Sequence, residues 1–472
     1  MRRWNLLVAL GVLLALSAYV YFVEIRGGEK EQKSKEESEK VLVFEKDQVV
    51  GLLLTHGGER VRLQKLEGKW RIVEPVPTAP DADAVDQLLT SMQGMRITHD
   101  LGTLSDAHSF NLTPPAVSVE LEISRPKPVP PLQLGDDSPT GGGSYARLGD
   151  RGKILVVSGA ESVKNASLFS LRDKNLLKFD ATKLSGLTVG QAKDEISLAK
   201  KGGKWALSVP WVAPAEDSTV SDLVSALERL SISEFVDEKP APELLKEHQL
   251  SPPRFRVRLH GEEWKNDPEL AFGETDSGSL FAIHPSSGAL VKVPDSIEAK
   301  LKTSAKDLRR KEILPFAQWD LGRFRITGAA PQPIELKRNA ESGWERISPA
   351  PGPAGDSVDQ LLKDLSDLKA EDFVDRPTRN LSAYGLQPPG VKLELWKHGE
   401  EGKEPSVLQI GKSDGRGKIY LKDEAWPSVI EIPEEAWKNT LTLTRKVAEE
   451  KPKVEAATSP QASPGTKKPR KP

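Results

Sequence analysis

Three stretches of the chain share one apolar rhythm. Val85, Leu88, Leu89, Met92 and Met95 recur at spacings of 3, 4, 7 and 10, as do Val220, Leu223, Val224, Leu227 and Leu230, and Val358, Leu361, Leu362, Leu365 and Leu368. At 3.6 residues per turn those spacings put all five side chains on one stripe, so each stretch predicts an amphipathic helix with a face to bury. Downstream the period drops to two. Val117, Val119, Leu121 and Ile123 alternate with polar residues, as do Phe255, Val257 and Leu259, and Val391, Leu393 and Leu395. Strict alternation predicts strands with one buried face. Shorter apolar runs lie before the helices, at Val61 to Leu63 and Ile334 to Leu336, and after them, at Tyr145 to Leu148 and Leu155 to Val157. The expectation per stretch is one helix and roughly six or seven strands, an α+β layer in which the helix covers an antiparallel sheet. Asp83, Ser218 and Ser357 are the expected helix caps.

The stretches are copies of one another. Trp followed five residues later by Pro occurs at Trp70/Pro75, Trp205/Pro210 and Trp344/Pro349, at offsets of 135 and 139. Leu-x-Pro-Pro occurs at Leu112/Pro114/Pro115, Leu250/Pro252/Pro253 and Leu386/Pro388/Pro389, at offsets of 138 and 136. Strand-like runs ending in Gly135, Gly273 and Gly411 are 138 apart. Leu171-Arg172-Asp173-Lys174 and Leu308-Arg309-Arg310-Lys311 close the first two copies, followed by Phe179 and Phe316, whereas the third has only Arg445-Lys446 and no such Phe. Four markers holding one offset establish three tandem repeats.

The ends differ in kind. Leu6 to Val23 is 18 residues without a charge, long enough to cross a bilayer as a helix, with Trp4, Tyr19 and Tyr21 at its margins. A cleaved signal peptide is the competing reading, with Ala15 and Ser17 as small residues, but the apolar run continues through Val23. Arg2 and Arg3 favour a cytoplasmic amino terminus, and long domains translocate largely regardless of charge. Residues 29–40 carry no apolar side chain, and the chain ends in a Pro-, Ala-, Ser- and Lys-rich tail. The expected organisation is a single transmembrane anchor at 4–23, a charged stalk at 24–40, α+β repeats at 41–180, 181–317 and 318–447, and a disordered tail at 448–472. The expected location is the cytoplasmic (inner) membrane, amino terminus inside and the bulk of the chain periplasmic.

Composition narrows the chemistry. The 472 residues hold 67 basic and 69 acidic side chains, a net charge of −2, which leaves no global field for nucleic acid. Cysteine is absent, excluding disulfides, thiolate nucleophiles and Cys-ligated metals. The Gly141-Gly142-Gly143-Ser144 run precedes a strand rather than a helix, so it reads as a hairpin and not a phosphate loop. The seven histidines show no ligand spacing, and His248 falls where the other repeats have Phe110 and Tyr384, a packed aromatic position. Asp136-Asp137 has no counterpart pair, since Glu274-Thr275 and Lys412-Ser413 stand there. Trp70, Trp205 and Trp344 read as core anchors, leaving Trp264, Trp396, Trp426 and Trp437 for exposed contacts. The Arg172/Lys174 and Arg309/Lys311 pairs, with Arg445/Lys446 as a partial third, are expected to cap a helix end or join successive repeats rather than to bind a ligand. No catalytic, cofactor-binding or metal-binding residue is expected, and no cofactor.

Trp344-x4-Pro349, then Phe373-Val374-Asp375, then Tyr384-Gly385-Leu386-Gln387-Pro388-Pro389 together resemble the bacterial family grouped as domain of unknown function 4340. Ile410-Gly411 and Leu308-Arg309-x-Lys311 fit as well. The resemblance spans roughly residues 41 to 447. It is best in the third repeat, fair in the second through Phe235-Val236-Asp237 and His248-Gln249-Leu250, and weakest in the first, which lacks Phe-Val-Asp. It implies one amino-terminal membrane span, repeated α+β units and an association with transporters of the ATP-binding-cassette class related to gliding motility. It supplies no catalytic residue. Three functions are then expected in descending order: a non-enzymatic envelope scaffold or accessory partner in a membrane protein complex, a module binding a cell-wall polymer or carbohydrate, and a hydrolase with an inter-repeat site.

Overall fold

The computed structural model describes residues 39–450, apart from 104–105, 125–127, 140, 151, 192–193, 340–342 and 376–378. The expected anchor at 4–23, the stalk to residue 38 and the tail from 451 lie outside the described residues. Among the described residues no helix is long and apolar enough to cross a membrane.

Each repeat folds into one sheet whose registered strand pairs are antiparallel, and the strand order recurs three times. In the first repeat the order is Lys69–Glu74, Glu59–Leu66, Val49–His56, Val117–Ile123, Leu132–Asp137, Ser144–Leu148, Ile154–Ser158 and Arg96–Gly102. A three-strand meander runs outward to one edge. The helix Ala82–Gly94 then carries the chain to a strand on the opposite edge, before a four-strand meander fills the gap. The helices Asp217–Glu228 and Ser357–Asp367 occupy the same place in the second and third repeats.

The predicted stripes are the buried faces of these helices: Val85, Leu88, Leu89 and Met92, then Val220, Leu223, Val224 and Leu227, then Val358, Leu361, Leu362 and Leu365. In the first repeat they share one core with Leu52, Leu54, Val119 and Leu134 from the sheet. Each such side chain taken fully out of water stabilises the fold by roughly 1.5–3 kcal/mol, before conformational entropy is counted.

Two expectations change. The sheets have eight, nine and nine strands, more β structure than the apolar pattern foretold. The strand after each helix (Arg96–Gly102, Glu234–Asp237, Asp372–Val374) is an edge strand with hardly a buried side chain, so it has no alternation to read. A further helical segment also follows the last meander: Glu161–Lys164 and Leu168–Leu171, then Ser296–Leu301, then the long helix Glu434–Glu449. The caps shift as well. Asp81 accepts from the N–H groups of Asp83 and Ala84, while Glu216 and Asp356 precede the other two helices, so Asp83, Ser218 and Ser357 lie inside the first turn.

The repeat markers acquire physical meanings. Gly135, Gly273 and Gly411 sit where a Cβ would collide with the carbonyl oxygen of Phe110, His248 and Tyr384 respectively. The aromatic position itself pairs with a ring on the next strand in every repeat. Phe110 meets Tyr145 at 4.6 Å, His248 stacks on Phe281 at 3.8 Å and Tyr384 meets Tyr420 at 4.9 Å. His248 thus occupies a packed ring position, as its alignment suggested. The prolines of both signatures, Pro75, Pro114, Pro210, Pro252, Pro349 and Pro388, all follow cis peptide bonds.

Among the described residues the chain divides into two compact units, 39–175 with 232–235, and 176–231 with 236–450. Glu39 and Lys40, at the end of the expected stalk, already belong to the first: Ile97 N–H donates to Glu39 O at 2.7 Å and Lys40 bridges to Arg96.

Candidate binding site

The second unit contains the join between the second and third repeats, and the Leu-Arg-x-Lys signature forms it. Arg309 is only 2% exposed. Its guanidinium lies over Phe373, 3.5 Å from the ring centre, and ion-pairs with Asp375. Burial pushes the Arg309 pKa down, while Asp375 and Asp372 act to keep the proton on. The backbone is bonded on both sides. Glu216 N–H donates to Leu308 O at 2.8 Å and Arg310 N–H to Pro214 O at 3.0 Å; Ala370 N–H donates to Lys311 O at 2.8 Å. The Leu-Arg-x-Lys and Phe-Val-Asp signatures are therefore two halves of one clamp. Within the first unit the equivalent residues do the same: Arg172 lies 3.5 Å over Phe235, and Ile232 N–H donates to Lys174 O at 2.6 Å.

The third repeat is closed differently. Its last helix, Glu434–Glu449, packs on the helix Ser357–Asp367, and Arg346 holds the helix end by donating to the carbonyls of Val447 at 2.9 Å and Glu450 at 2.7 Å. Arg346 stands two residues after the signature Trp, where Ile72 and Leu207 stand in the core of the other repeats. Arg445 is not a clamp; its Nε donates to Ala329 O at 3.3 Å.

Beside the clamp lies a cleft with walls from both repeats. One cavity of about 240 Å³ is bounded by Trp205, Asp217, Arg310, Asp423 and Trp426. A neighbouring cavity of about 320 Å³ shares Lys204, Arg310 and Pro315 with it and reaches Trp319, which is 79% exposed. A third, of about 20 Å³, adds Ser428 beside Arg310, Asp423 and Trp426. Arg310 is common to all three. Its Nε and the Ser428 hydroxyl are buried with no hydrogen-bond partner among the described residues. Burial lowers the Arg310 pKa, opposed by the surrounding charges of Asp423, Glu312, Asp217 and Glu216.

The acids of the cleft are held in place. Asp423, 4% exposed, accepts from Ala425 N–H at 2.9 Å, and burial raises its pKa against the pull of that bond, Arg310 and Lys422. Lys422 is depressed by burial, and its Nζ donates to the carbonyls of Asp423 and Trp426. Asp217 accepts from Trp205 N–H at 2.8 Å. Burial pushes Glu312 up, but a backbone N–H, Glu216 and Lys369 outweigh it and hold it low. A larger cavity of about 500 Å³ lies elsewhere in the second repeat, between the hairpin at 189–196 and residues 301–305, and none of its lining residues is aromatic.

The residues singled out in the sequence scatter. Gly141 to Gly143 form the turn of a hairpin in which Asp137 pairs with Ser144. Asp137 is bound by Lys164 and Ser144 on the surface. Trp205 is buried, and Trp70 and Trp344 pack partly buried against their cores. Trp396 and Trp437, expected to be exposed, are buried, because Trp396 donates to Lys403 O under Arg323 and Trp437 faces the third core. Trp426 is half-buried in the cleft wall, and Trp264 is half-buried. Among the described residues no group of three His, Cys, Asp or Glu side chains could hold a metal ion. Arg310, Asp423, Trp319 and Arg346 were missed. A signal existed for two of them: Arg310 replaces Asp173, and Arg346 replaces an aliphatic residue, as departures of one repeat from the others.

A family model described as Domain of unknown function (DUF4340) matches the chain three times, over residues 70–247, 205–355 and 354–452. No curated protein matches it.

Proposed function

This chain belongs to the DUF4340 family, and from that membership we propose a membrane-anchored envelope scaffold, an accessory partner of an ABC-type transport or motility-related complex. The observation that carries the reading is the clamp. A buried arginine stacked on the next repeat's Phe373, with backbone bonds to both repeats, joins the second and third repeats into one surface suited to binding. The 18-residue uncharged run from Leu6 supports the anchor. The test is crosslinking in intact membranes, solubilisation and affinity purification of the full chain. Reproducible recovery of a transporter subunit is the expected result, and its consistent absence would refute the proposal.

Carbohydrate or cell-wall binding is the second reading, favoured by the Trp426 wall of the cleft. A hydrolase draws support from the convergence of Asp217 and Asp423, from different repeats, on one cavity. Release of reducing ends from cell-wall glycan by wild type but not by Asp423→Asn would establish it.

A further inference from the structure

The cleft between the second and third repeats has a composition that selects a chemical class. The cavity beside Trp426 is lined by three basic side chains, Lys201, Lys204 and Arg310, and three acidic ones, Glu216, Asp217 and Asp423. A phosphate or carboxylate ligand would meet the acids there, and an ammonium ligand the bases, at similar electrostatic cost. A neutral ligand rich in groups that both donate and accept hydrogen bonds escapes both penalties. Two buried donors without a partner among the described residues, Arg310 Nε and the Ser428 hydroxyl, border the smallest of the three cavities. Two indoles complete the wall, Trp426 half-buried within it and Trp319 exposed at the outer mouth. An indole face packs against an apolar ring face while leaving the equatorial groups free to bond. The larger of the two cavities, about 320 Å³, falls at the low end of small-ligand sites, roughly 300–1,000 Å³, and the cavity of about 240 Å³ shares lining residues with it.

We propose that this cleft binds a neutral pyranose oligosaccharide, with Trp426 and Trp319 as stacking surfaces and Arg310 and Asp423 as hydrogen-bonding groups. This binding rests on the carbohydrate reading of the same cleft and is independent of a transporter partner, so loss of either leaves the other standing.

The test is calorimetric titration of the full chain, purified in a zwitterionic detergent without a sugar headgroup. The probes are chitotriose, maltotriose and cellotriose, with sodium sulfate and spermidine as charged controls. The expected result is saturable binding of at least one trisaccharide, at roughly millimolar Kd or tighter, and none of the charged controls. Arg310→Met and Trp426→Ala should each weaken it about tenfold. Trp319→Ala, at an exposed position that cannot disturb the core, should weaken it by a smaller factor and serves if either half-buried variant fails to fold. Co-sedimentation with purified cell-wall sacculi separates the sources: pelleting assigns a wall glycan, and trisaccharide binding without pelleting assigns a free sugar. Failure of all three trisaccharides to saturate overturns the proposal, as does preferential binding of sulfate or spermidine, or affinity unchanged in the variants.

Discussion

Breaking the clamp from its two sides should have unequal consequences. Asp375→Ala removes the carboxylate from a guanidinium that is 2% exposed, leaving a charge buried against Phe373 without its ion-pair partner. Losing one member of a buried pair typically costs about 3–5 kcal/mol. Arg309→Met removes the other member. The remaining Asp375 side chain is 20% exposed and can be hydrated, and the methionine still packs on the Phe373 ring. That change should cost only about 1–2 kcal/mol. The double variant, with no buried charge left, should be more stable than Asp375→Ala alone. Hydrogen exchange read by mass spectrometry on peptides covering 369–375 reports the local opening, because Ala370 N–H is bonded across the join to Lys311 O. At about tenfold per 1.4 kcal/mol, Asp375→Ala should speed exchange there by two to three orders of magnitude, and Arg309→Met by roughly one. Equal effects of the two single variants, or a double variant whose loss is their sum, would refute the reasoning.

Four further outcomes are expected. Gly411→Ala places a Cβ against the Tyr384 carbonyl and should lower stability by about 1–3 kcal/mol, read as a drop in Tm; an unchanged Tm would mean that the turn Leu381–Tyr384 moves freely off the strand Ser406–Ser413. Arg346→Leu restores the aliphatic residue of the other repeats but releases the end of the terminal helix, so limited proteolysis should cut near 447–450 while the sheet stays protected. Burial raises the Asp423 pKa, so the folded state binds that proton more tightly and stability falls as pH rises from about 4 through the folded value; Asp423→Asn should flatten that fall and be more stable than wild type at neutral pH in thermal melts. Glu335 has the opposite sign: burial pushes it up, but bonds from Arg325 and Arg323 outweigh that and depress it. Its contribution is present above about pH 4.3 and lost as pH falls through the folded value, so Glu335→Gln should cost about 1–2 kcal/mol at neutral pH and nothing in strong acid.

Local chemistry was legible where one element decides it. The stripe from Val358 to Leu365 is a helix face whatever it packs on, and Gly141 to Gly143 make a turn because strands flank them on both sides. Alignment of the repeats went further, since placing His248 with Phe110 and Tyr384 predicted a packed position, and in all three repeats the structure packs it against a ring. The edge strand at Glu234–Asp237 was hidden because its position depends on the strand it reaches across the sheet. Trp396 and Trp437 misled for a related reason. Burial depends on what covers a side chain, and Arg323 and the third core cover these two.

The residues alone thus determined three copies of one α+β repeat, the helix faces and the hairpins, because each follows from spacing within or between copies; the pairing of Leu-Arg-x-Lys with Phe-Val-Asp came only from the tertiary structure. The tertiary structure decided which arginine is clamped and which is left facing a cleft. Arg309 and Arg310 are neighbours in the chain, yet backbone bonds on both sides turn one onto Phe373 and set the other near Asp423, 113 positions away, in a space that exists only because two repeats meet there.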